Sequence, residues 1–276
     1  MLRKVLRFFR RQPIGLIGIF LITVVIVMGS FAGQIAPYEP TAQKFKRLHP
    51  PSSENYFGTD ELGRDVFSRL IYGSRISLQV GIIAVSFALV LGGVLGLTSG
   101  YIGGTFDNLA MRLVDLMFAF PGLVLAIVIA GLLGPSIQNV MIAIGIIYAP
   151  TYARVARAAV LSVKNQAYME AARLSGAGHL HIVLKHIVPN SLAPIVVLTT
   201  LSMSTAILTE ASLSYLGLGT QPPDPAWGKM LSDGRIFIEF APWVSVFPGF
   251  AIVLAVLGFN LLGDALRDEF DPRLKE

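Results

Sequence analysis

Uncharged apolar stretches long enough to cross a membrane limit the fold of this chain more than any other feature of its sequence. The first covers residues 14–36, and stretches of similar length recur as far as residue 263. A helix of roughly 20 apolar residues spans the hydrocarbon core of a bilayer. Only helices and closed barrels satisfy their backbone hydrogen bonds in lipid, and these stretches are too long for barrel strands. The sequence therefore predicts an all-α membrane protein.

Composition and charge favour a bilayer over water or nucleic acid as the surroundings of this chain. Hydrophobic residues make up 54% of it and charged residues 14%, whereas soluble domains carry about 25% charged residues. The net charge of +5 also suits nucleic acid, but the basic residues cluster beside the apolar stretches and form no patch interleaved with aromatic residues. Because cysteine is absent, disulfides, a thiol nucleophile and thiolate metal ligands are excluded.

The apolar stretches predict six membrane spans. Ser30, Phe31 and Ala32 also fit the cleavage rule of a signal peptide, but the first stretch is longer than a signal core, so we expect it to remain as a helix. Pro121 and Pro150 fall inside spans, where neighbouring helices tolerate a proline kink. The predicted spans are residues 14–36, 76–99, 116–134, 137–157, 191–216 and 243–263, with a tight turn at 134–136.

The distribution of Lys and Arg predicts that both ends of the chain are cytoplasmic. Cytoplasmic segments carry the excess of these residues, and an inside N-terminus puts most of the 22 there. Residues 1–13 have the spacing of an amphipathic helix on an anionic membrane surface. The membrane domain then covers residues 14–263, with an outer loop at 37–75, a cytoplasmic loop at 158–190 and a cytoplasmic tail at 264–276.

The cytoplasmic loop contains a segment, residues 170–189, that predicts two short helices joined by a bend. Glu170, Ala171 and Ala172 favour helix. Gly176, four residues beyond Ala172, allows the chain to leave that helix by a tight turn. The second helix is predicted at residues 179–187, before Pro189 closes it, with one apolar face formed by Leu180, Val183, Leu184 and Ile187. The result is a compact knob suited to a groove on a partner.

This segment resembles the conserved cytoplasmic loop of ABC importer permeases, which has the pattern E-A-A, three residues, G, nine residues and I-x-L-P. The matching positions are Glu170, Ala171, Ala172, Gly176 and Pro189. His186 and Val188 replace the isoleucine and the leucine of the pattern. Residues 57–70, 211–223 and 263–273 also resemble signatures of the second permease in dipeptide, oligopeptide and nickel importers, so the resemblance covers nearly the whole chain.

The resemblance implies an ABC type I importer transmembrane domain in a bacterial inner membrane. Its partners would be a second homologous permease, two ATP-binding subunits and an extracytoplasmic substrate-binding protein, with the loop acting as a coupling helix. The chain has no G-x-x-x-x-G-K-[ST] phosphate loop. We therefore expect ATP and magnesium to be used by the partner subunits, with no cofactor and no enzymatic activity in this chain.

By the same resemblance the substrate is a di- or oligopeptide, with a nickel chelate or glutathione as the alternative within the family. A secondary transporter would need ion-coupling groups inside its spans, and Glu210 is the only acid well within one. Glu210 is therefore a candidate for the translocation path. The competing interpretation is that it bonds to a neighbouring helix near the outer end of the fifth span.

Charged residues before the second span are candidates for the outer gate or for contact with the substrate-binding protein. A helix is predicted at residues 60–72, stabilised by an Asp65–Arg69 pair at i, i+4, and the alternative is an interfacial helix that only orients the span. The candidates are Asp60, Arg64, Asp65 and Arg69. Arg112 and Asp115 predict a local ion pair.

Three histidines lie close together in the sequence of the cytoplasmic loop, at His179, His181 and His186. Positions two apart diverge on a helix, and no carboxylate or thiol accompanies these side chains as zinc ligands usually require. We therefore predict solvated histidines and no metal site.

Overall fold

The computed structural model describes residues 13–270, and within this range the chain is helical with no strand. The all-α prediction is confirmed for these residues, whereas the predicted amphipathic segment at residues 2–11 lies outside them. The helices are α1 (Pro13–Ser30), α2 (Ala32–Ile35), α3 (Val66–Ile102), α4 (Gly104–Phe118), α5 (Gly122–Leu133), α6 (Ile137–Lys164), α7 (Ala167–Leu174), α8 (His179–Ile182), α9 (Val188–Tyr215), α10 (Trp227–Gly234) and α11 (Trp243–Phe270).

Six membrane crossings can be traced among the described residues. Five are single helices, one of which joins α8 to α9 through the π-helical turn Val183–Ile187. The sixth is the pair α4–α5, bent by 89°. Pro121 precedes α5 at this bend, so the kink predicted there is nearly a right angle. The helix α4 before the bend begins at Gly104, upstream of the predicted span at 116–134, and α6 continues through Pro150.

The centre of the bundle is the contact between α3 and α6. Gly92, Gly96 and Gly100 lie one turn apart on α3 and face the backbone of α6, where a Cβ at Gly96 would overlap the carbonyl group of Ala153. Small residues at this spacing allow two helices in a membrane to approach closely. Such close packing stabilises helix association in lipid, where apolar burial alone does not. These glycines therefore bring the two helix backbones into direct contact.

The first helix packs into the bundle as a membrane span. Gly18 on α1 lies against the backbone of α11, where an added Cβ would come within 2.7 Å of the Leu262 nitrogen. Ile22 and Val25 are buried in the same interface. This packing favours a retained helix over a cleaved signal peptide.

The helix α3 begins at Val66, so the predicted second span and most of the polar helix predicted at residues 60–72 form one continuous helix. Asp65 is the N-cap, and its Oδ2 accepts hydrogen bonds from the Ser68 amide and hydroxyl at 2.7 Å. This cap satisfies an amide at the helix start that has no partner within the helix. The outer loop folds back over the outer end of the bundle, where the Trp243 indole donates to the Thr59 carbonyl at 3.1 Å.

Candidate functional site

A knob formed by α7, α8 and the π-helical turn projects from the cytoplasmic ends of α3 and α6. Met169, Ile182 and Ile187 form its buried base and pack against Val160 and Val163 of α6. Leu97 and Tyr101 at the end of α3 cover the same cluster. The knob is therefore seated on two membrane helices.

The bend between α7 and α8 depends on glycine. Gly176 has φ +78°, in the left-handed region that other residues adopt at a cost. The Ala177 amide donates to the Ala172 carbonyl at 3.2 Å, and the Ser175 amide donates to the Ala171 carbonyl at 3.0 Å. This is the pattern by which a glycine ends a helix and satisfies its last carbonyls. The predicted exit at Gly176 thus has its expected geometry.

Pro189 does not close the second helix, contrary to the sequence prediction. The chain continues from α8 into α9, with Pro189 in the first turn of α9. The Val188 amide reaches back five residues to the Val183 carbonyl, and a wider π-helical turn of this kind leaves room for the proline ring. The side chain of Asn190 donates to the His186 carbonyl at 2.7 Å and satisfies one acceptor in this turn.

The extra residue in the π-helical turn also changes the predicted apolar face. Ile182 and Ile187, five residues apart, are buried together, while Leu180 and Leu184 point outwards. The knob therefore has a buried apolar side and an exposed one. The exposed fractions are 85% for Leu174, 72% for Leu180, 59% for Leu184 and 44% for Tyr168. A cluster of exposed apolar side chains on an otherwise polar surface is typical of a partner-binding site.

Hydrogen bonds attach the knob to the end of α3. The Tyr101 hydroxyl and His179 Nδ1 lie 2.6 Å apart, and Lys164 Nζ donates to the Tyr101 carbonyl at 2.8 Å. His179 is thus held by a tyrosine. Among the described residues no group of His, Asp and Glu side chains has the arrangement of a metal site. No local sequence signal linked Tyr101 to the loop, since 78 residues separate it from His179.

Two ion pairs connect the bent crossing to α6, close to the knob. Arg157 donates from Nε and Nη2 to the two carboxylate oxygens of Asp107, both at 2.6 Å. Asp115 pairs with Arg154 of α6 at 2.6 Å, so the predicted local pair with Arg112 is wrong. The cause is the slant of α4 across α6, which brings a residue distant in sequence closer than the neighbour on the same helix.

The four charged candidates at the outer end lie inside the folded loop. Asp60, Arg64, Asp65 and Arg69 are each at most 5% exposed. Arg64 Nε binds Asp60 Oδ2 at 2.5 Å, and Arg69 Nε lies 3.5 Å from the same oxygen. The predicted Asp65–Arg69 pair is wrong, because the Asp65 carboxylate caps α3 instead. These residues hold the loop together.

Glu61, next to this cluster, is partly buried and binds Arg64 Nη2 through Oε1 at 2.9 Å. Burial raises the pKa of Glu61 and the nearby Asp60 carboxylate raises it further, whereas the charge of Arg64 lowers it. Its charged form is therefore less favourable in the folded loop than in the unfolded chain.

Glu210 is completely buried in the outer half of α9. Its Oε1 accepts a hydrogen bond from the Ser214 hydroxyl at 2.6 Å, and its Oε2 has no partner among the described residues. Met203 and Ile207, which share its helix face, contact Gly81 of α3. Glu210 therefore faces α3 inside the bundle, and its one described hydrogen bond is within its own helix rather than to a neighbouring one.

Two family profiles match the chain. The profile described as "Binding-protein-dependent transport system inner membrane component" matches residues 92–276. The profile described as "N-terminal TM domain of oligopeptide transport permease C" matches residues 1–51. The two matched ranges include α1 and α2 and the chain from the second half of α3 onwards.

Among curated proteins, the dipeptide transport system permease protein DppC of Alkalihalophilus pseudofirmus is 47% identical over 275 residues, covering 99% of this chain and 90% of the relative. The glutathione transport system permease protein GsiD of Escherichia coli (strain UTI89 / UPEC) is 46% identical over 271 residues, covering 98% and 89%. In the solved MetNI methionine ABC transporter, in an inward-facing conformation, one chain aligns with a TM-score of 0.61 and 19% identity, covering 74% of this chain and 97% of that chain. This last likeness concerns the fold.

Proposed function

The chain belongs to the family of binding-protein-dependent transport system inner membrane components, and we propose that it forms, with a second permease, the path by which di- or oligopeptides enter the cell. It is a permease subunit of an ABC importer in the bacterial inner membrane. Its fold is that of an ABC type I importer transmembrane domain.

The knob carries this proposal. Leu174, Leu180 and Leu184 expose apolar surface at its tip, and burial of such surface stabilises protein association. The buried base on α3 and α6 transmits a displacement of the tip to the spans. We infer that an ATP-binding subunit takes up the tip, so that its movement on ATP binding and hydrolysis opens and closes the path.

The proposed assembly contains this chain, a second homologous permease, two ATP-binding subunits and an extracytoplasmic substrate-binding protein. ATP and magnesium belong to the ATP-binding subunits, because this sequence has no phosphate-binding loop of its own. Glu170, Ala171, Ala172, Gly176 and Pro189 contribute the shape of the coupling knob.

Glutathione is the second candidate substrate, and it is itself a small peptide. The observation that favours it is the near-equal identity to the dipeptide and glutathione permeases, at 47% and 46%.

Reconstitution with all four partner subunits in proteoliposomes tests the proposal. We expect uptake of a radiolabelled dipeptide that requires ATP, the ATP-binding subunits and the loaded binding protein. Uptake that continues without ATP would overturn the importer mechanism. ATP-dependent uptake of glutathione with no uptake of other peptides would replace the proposed substrate by the alternative.

A further inference from the structure

A cleft of about 230 Å³ opens where the bend between α4 and α5 meets the middle of α6 and the outer half of α9. Its walls include two exposed aromatic rings and three hydroxyl groups at mid-span depth. The residues that carry the argument are Phe118, Phe120, Tyr148, Thr151 and Thr209. Broken helices in transporters commonly border substrate sites near the middle of the membrane.

The surface beside the cleft is unsuited to lipid. Arg154, three residues beyond Thr151 on α6, pairs with Asp115, and their side chains are 51% and 61% exposed. The Arg154 guanidinium lies 4.1 Å from the centre of the Phe118 ring. Ionisable side chains within membrane helices are costly in hydrocarbon and normally face a bundle interior or a water-filled cavity. The cleft therefore opens towards water or protein.

Two hydroxyl groups in the cleft have hydrogen-bonding capacity left for a ligand. The Thr209 hydroxyl donates its one hydrogen to the Thr205 carbonyl at 2.7 Å. Tyr148 must then donate to Thr209 Oγ1 at 2.9 Å, which leaves the Tyr148 oxygen as a free acceptor. The Thr151 hydroxyl has no hydrogen-bond partner among the described residues and can donate or accept. One turn of helix separates these two groups on the same face of α6.

Backbone groups at the cleft add to these side chains. The helix α5 starts at Gly122, in the wall of the cleft. Its first amides have no acceptor within the helix, and the positive end of the helix dipole favours a carboxylate.

We propose that this cleft is a contact site for the backbone of the transported peptide, an inference that rests on the proposed function. The Tyr148 oxygen accepts the peptide-bond N–H, and the Thr151 hydroxyl binds the neighbouring carbonyl group. The start of α5 attracts the terminal carboxylate. Phe118 and Phe120 accommodate side chains of differing shape. The site therefore recognises the backbone, which all peptides share.

Two hydroxyl deletions test the hydrogen bonds in the reconstituted full importer. We expect Tyr148→Phe and Thr151→Val each to lower the ratio of dipeptide imported to ATP hydrolysed by about two- to tenfold, the effect of losing one hydrogen bond. Thr200→Val is the matched control, because that hydroxyl bonds only to the Val196 carbonyl on its own helix. Equal ratios in all three variants would overturn the inference.

An N-methylated dipeptide separates substrate contact from a structural role of Tyr148. With the binding protein saturated, the wild type should import this analogue less efficiently than the parent peptide, and Tyr148→Phe should discriminate between them much less. If both proteins discriminate equally, the tyrosine does not meet the peptide-bond N–H and the inference fails. Absence of ATP-dependent dipeptide uptake by the wild type would instead contradict the proposed function itself.

Cysteine accessibility supplies a direct measurement, because the native chain contains no cysteine. In the assembled importer, Thr151→Cys should react with a charged thiol reagent at least about tenfold faster than Val253→Cys on α11, since the reactive thiolate forms where water reaches it. Val253 is 57% exposed but lies away from the cleft. Dipeptide present during turnover should slow the reaction at Thr151→Cys. An unreactive or unprotected cysteine there would contradict the proposed contact.

Discussion

The carbonyl group of Ala153 on α6 occupies the space that a side chain at Gly96 on α3 would need. The same relationship joins Gly92 to Ala149, and a Cβ at Gly100 would lie 3.0 Å from the Val160 Cβ. Because α6 leads directly into the knob, this contact makes α3 and α6 a single support for it.

Substitution of Gly96 by alanine is expected to destabilise the bundle. The added methyl group would meet backbone rather than a movable side chain, and overpacking of this kind costs about 1–3 kcal/mol. Thermal unfolding of the purified protein in detergent measures the loss. Gly93→Ala is the control on the same helix, because its Cβ would make an ordinary 3.6 Å contact with Leu89. If the two variants unfold at the same temperature, the close contact is not present.

The paired hydrogen bonds between Arg157 and Asp107 predict coupling between α4 and α6. We expect Arg157→Lys and Asp107→Asn each to cost about 1–2 kcal/mol of stability, because a lysine cannot form the forked contact. The double variant should cost less than the sum of the two. Additive losses in this double-mutant cycle would indicate that the residues do not interact.

The raised pKa of Glu61 predicts a pH dependence with a definite sign. The folded loop holds its proton more tightly than the unfolded chain does, so this residue's contribution to stability falls as pH rises through the raised pKa. Glu61→Gln should therefore equal or exceed the wild type in stability at neutral pH, and any gain should disappear at acid pH. Unfolding curves at both pH values check this, and a gain confined to acid pH would reverse the assignment.

Local patterns predicted the parts of the fold that have local causes. Pro121 predicted the kink in the third span, and Gly176 predicted the bend of the knob, because each restricts its own backbone. The helix α4 before this kink was not predicted, for a different reason. Asp107 and Asp115 make this segment resemble a polar loop, and their partners on α6 are 50 and 39 residues away.

Partners that are distant in the sequence also explain the wrong prediction among the candidate residues of the outer loop. A spacing of four residues predicted the Asp65–Arg69 pair. At the start of a helix, however, the free backbone amides also bind a carboxylate, and here they take that of Asp65. Arg69 instead reaches the Pro40 carbonyl at 2.9 Å, a contact that no spacing rule indicates. Likewise the π-helical turn before Pro189 buries Ile182 beside the predicted Ile187 and leaves Leu184 exposed, which a regular helical period does not anticipate.

The exposed leucines of the knob predict a docking defect. Leu180→Asp should weaken co-purification with the ATP-binding subunit by about tenfold, equivalent to about 1.4 kcal/mol, because it puts a charge into an apolar contact. The spans should remain folded, since Leu180 contributes nothing to the buried base. Leu62→Asp, at an exposed leucine on the outer side, is the control. Equal loss in both variants would indicate a general folding defect rather than docking.

The bend at Gly176 offers the sharpest test of coupling, because nothing lies within 4 Å of the position that its Cβ would take. A substitution there therefore changes backbone preference without creating a clash. A left-handed conformation costs an ordinary L-residue roughly 1–2 kcal/mol, and a β-branched residue tolerates it least. In Gly176→Val we expect the knob to be misdirected, so that ATP hydrolysis no longer drives import although the subunits still fold.

Asparagine at the same position provides the matched control, because it adopts the left-handed conformation more readily than other residues. Gly176→Asn should retain most of the uptake that Gly176→Val loses, with both variants measured for ATP hydrolysis and dipeptide uptake in proteoliposomes. Gly178, whose φ of −67° is ordinary and whose surroundings are equally open, gives a second comparison as Gly178→Ala. Wild-type uptake and ATPase stimulation in Gly176→Val would refute a role for this bend in coupling. Equal defects in Gly176→Val and Gly176→Asn would assign the effect to side-chain volume instead of backbone geometry.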